Sequence, residues 1–228
     1  MDIKYYEITD STNNRAKEYI KTHEFERMLF VANEQTAGRG RLGKSFFSPK
    51  DTGIYMSFAF KSDRPLYNIV HITTASAVAV ARAIEQHTTY RTAIKWVNDI
   101  YISDKKVCGI LCESTGGYII IGVGINVTTA EFPDDISDIA DSLKTDCKDA
   151  LTKSIYNNLC ILADNIDSYD YIGFYRERLL WKGEQITFGE EVATLVDVDD
   201  RGALIICENG QTKTLSTGEI SIKKPPTW

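Results

Sequence analysis

The chain has 228 residues, 43% hydrophobic and 25% charged, with a net charge of -6 at neutral pH. That length fits one large domain, or a domain with a small appendage, and it can bury a sizeable core. The acidic balance excludes a general nucleic-acid binder, which shows a basic excess, though not a local basic site.

The opening stretch, MDIKYYEITD, lacks the layout of a signal peptide, and no apolar run approaches membrane-spanning length. Ile3–Ile8 reads as a strand, and the following DSTNNRAKEYIKTH reads as a short helix that Asp10, Ser11 or Thr12 can cap. Met28–Glu34 is an apolar strand. Next comes GRGRLGKS, Gly38 to Ser45, which spells G-x-x-x-x-G-K-[ST], the phosphate loop of nucleotide hydrolases. Such a loop needs a helix starting at its Lys-Ser. Here SFFSPKDTG follows, with Pro49 and a Gly turn, and then Ile54–Phe60, an aromatic and β-branched strand. The segment is strand–loop–strand, so the spelling is not a phosphate loop. Either it is a solvated basic hairpin loop, or its glycines bring Arg39, Arg41 and Lys44 close to an anion.

Residues 65–87 repeat apolar side chains at helical spacing, with Pro65 in a first turn, and predict a long core helix. Strand-like runs follow: TAIKWV with DIYIS, KVCGILCES, and YIIIGVGINV, with turns at Ser103–Lys106 and Ser114–Gly117. In the first, Lys95 is flanked by Ile94 and Trp96. It is either a snorkelling edge lysine or a fixed cation for a carboxylate or phosphate, with Asn98 and Asp99 beside it. In the last, Gly122 and Gly124 strip one strand face of side chains. That marks close sheet packing or close approach of a ligand, with Asn126 as a polar tip. Residues 132–149 read as an acidic surface loop with at most one helical turn. Leu151, Ile155, Leu159 and Leu162 then form a helical stripe, and YIGFYRERLLW offers another helix. From about residue 181 short strands are divided by Asp-Arg-Gly and Asn-Gly turns, which predicts a small β-barrel appended to an α/β domain.

Five cysteines (108, 112, 147, 160 and 207) include no C-x-x-C pair, and the three histidines are dispersed. The expectation is free thiols, a cytoplasmic setting and no zinc site. Cys108 and Cys112 share a strand face and read as small core side chains.

TAGRGRLGKSFFSP, IKWVNDIYI…KVCGILCE and IGVGIN, in that order, resemble the biotin protein ligase family. DSTN at Asp10–Asn13 is similar to its first motif, and GEISIK to the end of its small barrel. The resemblance runs from about residue 3 to 224. It implies an α/β (α+β) fold with a mixed central sheet and a C-terminal SH3-like barrel, divided as residues 1–180 and 181–228. It also implies an enzyme that joins biotin and MgATP into biotinyl-5′-AMP, then biotinylates a Lys of a biotin carboxyl carrier domain.

By position, the resemblance puts Ser11, Thr12, Asn13 and Gln35 on the biotin head, and closes Gly38, Arg39, Gly40 and Arg41 over the ligand. Arg41 and Lys95 are the catalytic cations, Lys95 touching the biotin carboxylate. Phe46, Asn98, Asp99, Asn126 and Lys223 are on the nucleotide, with Mg²⁺ arriving with ATP near Asp99 rather than held by protein alone. Three positions depart from the family pattern: Val97 for a Pro, Phe46 for a frequent Trp, and Lys223 for an Arg. No nucleic-acid or membrane partner is expected, and monomer and homodimer are both open. The competing readings are a lipoate or octanoate ligase or transferase of related fold, a DNA-binding repressor, and a biotin-binding module without catalysis. With the first strand at Ile3, no preceding DNA-binding domain is expected, and Arg41 and Lys95 speak for catalysis.

Overall fold

A computed structural model describes residues 2–62, 69–216 and 221–225. Its centre is a seven-stranded sheet in the order β1-β2-β3-β7-β6-β5-β4. The strands are β1 (Ile3–Thr9), β2 (Arg27–Gln35), β3 (Gly53–Lys61), β4 (Ala93–Lys95), β5 (Asp99–Ile102), β6 (Lys105–Thr115) and β7 (Tyr118–Asn126). β1 pairs with β2 in parallel and the other neighbours are antiparallel, so the sheet is mixed as expected.

Strand alternation divides the sheet into two faces. Met56, Phe58, Ile110, Ile119, Ile121, Val123 and Ile125 face one way into the main core. That face is covered by α2 (Ile69–His87) and α3 (Lys148–Asp164), with α4 (Ile172–Arg178) beside them. α2 is almost wholly buried, because its run of alanines lets its backbone approach the sheet closely. Leu151, Ile155, Leu159 and Leu162 of α3 are all buried, as their spacing predicts. Pro65, the expected first-turn residue of α2, lies outside the described residues.

The opposite face is only half covered. There α1 (Thr12–Ile20) packs Ala16 onto Phe30, Ala59 and Ile120. Beyond Ile120 the same strand face continues as Gly122, which only Asn13 in the first turn of α1 reaches, and Gly124, which the Phe46 ring covers rather than a helix. This bare half carries the site.

The C-terminal strands are β8 (Gln185–Phe188), β9 (Glu191–Val198), β10 (Leu204–Glu208), β11 (Gln211–Leu215) and β12 (Ile222–Lys223). They form an antiparallel five-stranded sheet in the order β11-β10-β9-β8-β12. Ile186, Leu195, Val198, Leu204, Ile206 and Ile222 join the main core, so the small sheet shares one hydrophobic core with the rest of the molecule.

Candidate active site

Two adjoining cavities lie on the bare half of the sheet. The first is a polar slot lined by Ser11, Thr12, Asn13, Gln35, Arg39, Phe46, Gly109, Leu111, Gly122 and Gly124. Ser11 caps α1 with an extended backbone, which turns the chain so that Thr12 and Asn13 enter the sheet surface. Gln35 Oε1 accepts from Thr12 N at 2.8 Å and lies 3.2 Å from Thr12 Oγ1, while its Nε2 donates to Ser48 Oγ at 3.0 Å. Asn13 Nδ2 donates to Glu113 Oε2 at 2.8 Å, and Ser57 Oγ bonds to Thr12 Oγ1 at 2.7 Å and also reaches Asn13 Oδ1. Glu113 is anchored by Lys17 at 2.6 Å. Burial pushes the Glu113 carboxyl up, but the Lys17 and Asn13 hydrogen bonds outweigh it and hold it below the usual carboxylate range. The slot is therefore a fixed lattice of donors and acceptors, suited to one small polar head group.

The absence of side chains on β7 is required here. A Cβ on Gly122 would stand 2.3 Å from Asn13 Oδ1, and one on Gly124 would stand 2.6 Å from the Phe46 ring. Gly109 of β6 lies directly across from Gly124, and the Phe46 ring rests on the platform these two make.

The second cavity shares Arg39, Phe46 and Gly109 with the slot and adds Gly40, Arg41, Lys44, Asn98, Asp99, Lys106 and Ser221. Arg39 and Ser45 bridge across the neck of the loop, Phe46 N donates to Gly38 O at 2.8 Å, and a 3₁₀ turn spans Arg41–Gly43. No helix follows, which agrees with rejecting the phosphate-loop spelling. Arg41 Nη1 donates to Asn98 Oδ1 at 2.8 Å, and Asn98 Nδ2 donates to Ile110 O at 2.8 Å. Burial pulls the Arg41 guanidinium below its ordinary value, opposed by Asp99, Tyr175 and Cys112, and an arginine there stays charged. Lys106 Nζ is 2.8 Å from Asp99 Oδ1, the one carboxylate among the residues lining this cavity. With Arg39, Arg41, Lys44 and Lys106 against a single acid, the cavity is built for an anion. Among the described residues no three His, Cys, Asp or Glu side chains stand together as a metal site.

Ser11, Thr12, Asn13, Gln35, Arg39, Gly40, Arg41, Phe46, Asn98 and Asp99, singled out from sequence, thus meet along one surface. Gly38 sits at the neck of the loop. Lys95, Asn126 and Lys223 line neither cavity. Lys95 Nζ lies 5.0 Å from the Trp181 ring and 5.9 Å from that of Tyr101, with no ion pair among the described residues. Burial lowers its pKa, Asp99 opposes that, and Lys106, Lys44 and Lys223 add to it. Asn126 donates to Asp141 O at 3.1 Å, and its Oδ1 is buried without a partner among the described residues. Lys223 is exposed on β12.

Sequence reasoning missed Lys106, which it placed in a turn. Strict alternation along β6 would put Lys106 on the same face as Cys108, in the core. A bulge prevents this: Ile100 pairs with Cys108 but Tyr101 with Lys106, so Val107 is the extra residue. The bulge re-aims Lys106 toward Gly109, where its Nζ would lie 3.2 Å from a Cβ. Ser57, Glu113 and Ser221 were missed as well.

The sequence matches the Biotin/lipoate A/B protein ligase family over residues 5–127 and the Biotin protein ligase C terminal domain over residues 183–223. The "Bifunctional ligase/repressor BirA" of Bacillus subtilis is 32% identical over 96% of this chain and 73% of the relative. The "Biotin--[acetyl-CoA-carboxylase] ligase" of Mycobacterium tuberculosis is 26% identical over 86% of this chain and 79% of its own length. Among solved structures, the biotin protein ligase of Aquifex aeolicus in complex with biotin and ATP superposes with a TM-score of 0.85. It is 28% identical and covers 98% of this chain and 99% of that one. The biotin protein ligase of Leishmania major in complex with biotinyl-5-AMP superposes at 0.67, with 25% identity, covering 95% and 99%. By sequence match, fold and the shape of its site, this chain belongs to the biotin/lipoate A/B protein ligase family.

Proposed function

We propose that this chain is an ATP-dependent biotin protein ligase: it forms biotinyl-5′-AMP and passes biotin to a lysine of a biotin carboxyl carrier domain. The observation that carries this is the abutment of a rigid polar slot and a cationic cavity across one glycine platform. A small acid held in the slot would present its carboxylate where Arg41 and Lys106 stand. The family includes lipoate enzymes, but the C-terminal match and the names of the relatives favour biotin.

In the first half-reaction a biotin carboxylate oxygen attacks the α-phosphorus of ATP, the bond to the β-phosphate oxygen breaks, and pyrophosphate leaves. Two anions must meet, so cations that lower their repulsion and then stabilise charge at the α-phosphate supply the catalysis. In our reading Ser11, Thr12, Asn13 and Gln35 seat the ureido head, and Gly38–Arg41 close over the ligand. Arg41 and Lys106 hold the reacting oxygens, and Asn98 orients Arg41. Lys95, behind Asp99, adds positive potential toward the outer phosphates in place of the direct carboxylate contact expected from sequence. Phe46, Asn126 and Lys223 serve the nucleotide end, and Mg²⁺ comes with ATP as substrate, with Asp99 the acid available to it. In the second half-reaction the carrier amine attacks the mixed anhydride, AMP leaves, and the amine sheds a proton.

Residues 1–180 form the catalytic part in this proposal and 181–228 the barrel. No helix among the described residues is long and apolar enough to cross a membrane, and we assign the enzyme to the cytoplasm. Biotin-dependent exchange of pyrophosphate into ATP tests the function. Exchange with lipoate or octanoate but not biotin would overturn it.

A further inference from the structure

The turn that carries Asn98 and Asp99 is held from behind by parts of the chain that lie far away in sequence. Trp96 is 2% exposed, and its indole Nε1 donates to Gly202 O at 2.9 Å. Gly202 belongs to the β9–β10 turn, with φ +80°. A Cβ there would stand 2.3 Å from Thr74 Oγ1 of α2, so the turn is seated hard against that helix. Asp199 fixes the turn's shape: its Oδ1 accepts from Arg201 N and Ala203 N, each at 2.9 Å. The next peptide of the Asn98 turn has its own tether. Tyr175 of α4 is fully buried, and its Oη donates to Val97 O at 3.3 Å. α4 is in turn tied to the small sheet, because Arg176 donates twice to Val198 O, at 3.1 and 2.9 Å.

On its open side the same turn offers Asn98 Oδ1 to Arg41 and the Asp99 carboxylate to Lys106. Two buried hydrogen bonds behind the turn thus fix the two polar groups that aim the site's cations. Among the described residues, the slot's Thr12, Asn13 and Gln35 hydrogen-bond to one another and to neighbours, and to none of this support.

We propose that Trp96 and Tyr175 are positioning residues for the adenylation step. By docking the Asn98–Asp99 turn onto α4 and the C-terminal sheet, they set where Arg41 and Lys106 meet the α-phosphate. The C-terminal sheet is then part of the catalytic apparatus through its grip on this turn, in addition to Ser221, its contribution to the cavity wall. This inference rests on the ligase reading above.

Tyr175→Phe is the mildest probe, since it keeps the buried ring and deletes only the hydroxyl that holds Val97 O. The expected result is a fall of roughly tenfold in kcat/KM for ATP in biotin-dependent pyrophosphate exchange, equal to about 1.4 kcal/mol. The Kd for biotin measured without ATP should stay within about twofold of wild type. Biotin titration also counts folded active sites, so a loss of folded protein is separated from misplacement. Trp96→Phe should act in the same direction, and the double variant should cost less than the sum of the two, because both tethers act on one turn. Unchanged kcat/KM for ATP in Tyr175→Phe would overturn the proposal, and so would biotin and ATP parameters weakening in parallel. Absence of exchange in the wild type would instead remove the ligase reading.

Discussion

Replacing Lys106 by alanine removes the cation that the β6 bulge turns into the anion cavity. Its Nζ lies 2.8 Å from Asp99 Oδ1, and its side chain is 30% exposed. In the ligated enzyme the same amine would face the carboxylate and the α-phosphate. Two opposite unit charges about 4 Å apart attract by about 4 kcal/mol at an effective dielectric near 20. Alanine forfeits that attraction and leaves Asp99 uncovered beside an incoming anion, so both effects act against adenylation. The loss of one preorganised donor to developing charge is about 10²–10³ in rate, which agrees with this figure. The assay is pyrophosphate exchange at saturating biotin, with biotin binding measured separately to confirm the slot. Lys95→Ala in the same assay should lose less, because Lys95 stands over the Trp181 ring outside both cavities. Lys106→Ala within about threefold of wild type, or a larger loss in Lys95→Ala than in Lys106→Ala, would refute the assignment.

Arg41→Gly deletes a charge-assisted contact of roughly 1.5–3 kcal/mol and makes loop closure entropically harder, while Lys106 remains. Some adenylation should survive, and the escaping mixed anhydride should label an unrelated protein such as an albumin on a biotin blot. Labelling no greater than with wild type would show that Arg41 does not retain the intermediate. Gly122→Ala sets a methyl against Asn13 Oδ1 in a slot with no slack, at a cost of about 1–3 kcal/mol. Tm should fall by roughly 2–10 °C, calorimetry on the folded variant should show weaker biotin binding, and unchanged affinity would mean that the slot is not the biotin seat. Glu85 tests the folded frame by pH. Burial pushes its carboxyl up, but Arg178, at 2.9 and 3.0 Å, and Thr92 bring it from 4.5 down to about 2. A depressed folded pKa stabilises the protein fully above 4.5, and the stabilisation is lost as pH falls toward 2. Its ceiling is on the order of 3 kcal/mol. Glu85→Gln should therefore be less stable at pH 7, and its stability should fall less steeply between about pH 4.5 and 2. Identical acid profiles for the two proteins would contradict this.

Most of the fold is legible in the sequence because its elements obey single periods. The α3 stripe, the alternation of β7 and the Gly turns each depend on neighbours a few residues apart. Of the slot, pattern alone marks only the bare face at Gly122 and Gly124, which close sheet packing would also explain; Ser11, Thr12, Asn13 and Gln35 come from the family resemblance. What local pattern does not show is which lysine reaches the cavity. Lys95 was conspicuous for its apolar flanks, yet its neighbours are aromatic rings. Lys106 looked like a turn residue, and only a register shift between β5 and β6 brings it to the ligand face. A bulge of one residue is set by pairing with a partner strand, which local pattern does not reveal. The contributions of Gly202, Tyr175 and Ser221 were hidden for a like reason, since they arise from contacts between segments far apart in sequence.

The central claim is that this site activates biotin and hands it to a carrier lysine. Its most direct test is mass spectrometry of a biotin carboxyl carrier domain incubated with the enzyme, biotin and MgATP. One biotin-sized adduct on a single lysine is expected, dependent on ATP and formed about 10²–10³-fold more slowly with Lys106→Ala. An unmodified carrier, or an adduct formed from lipoate or octanoate in place of biotin, would contradict it.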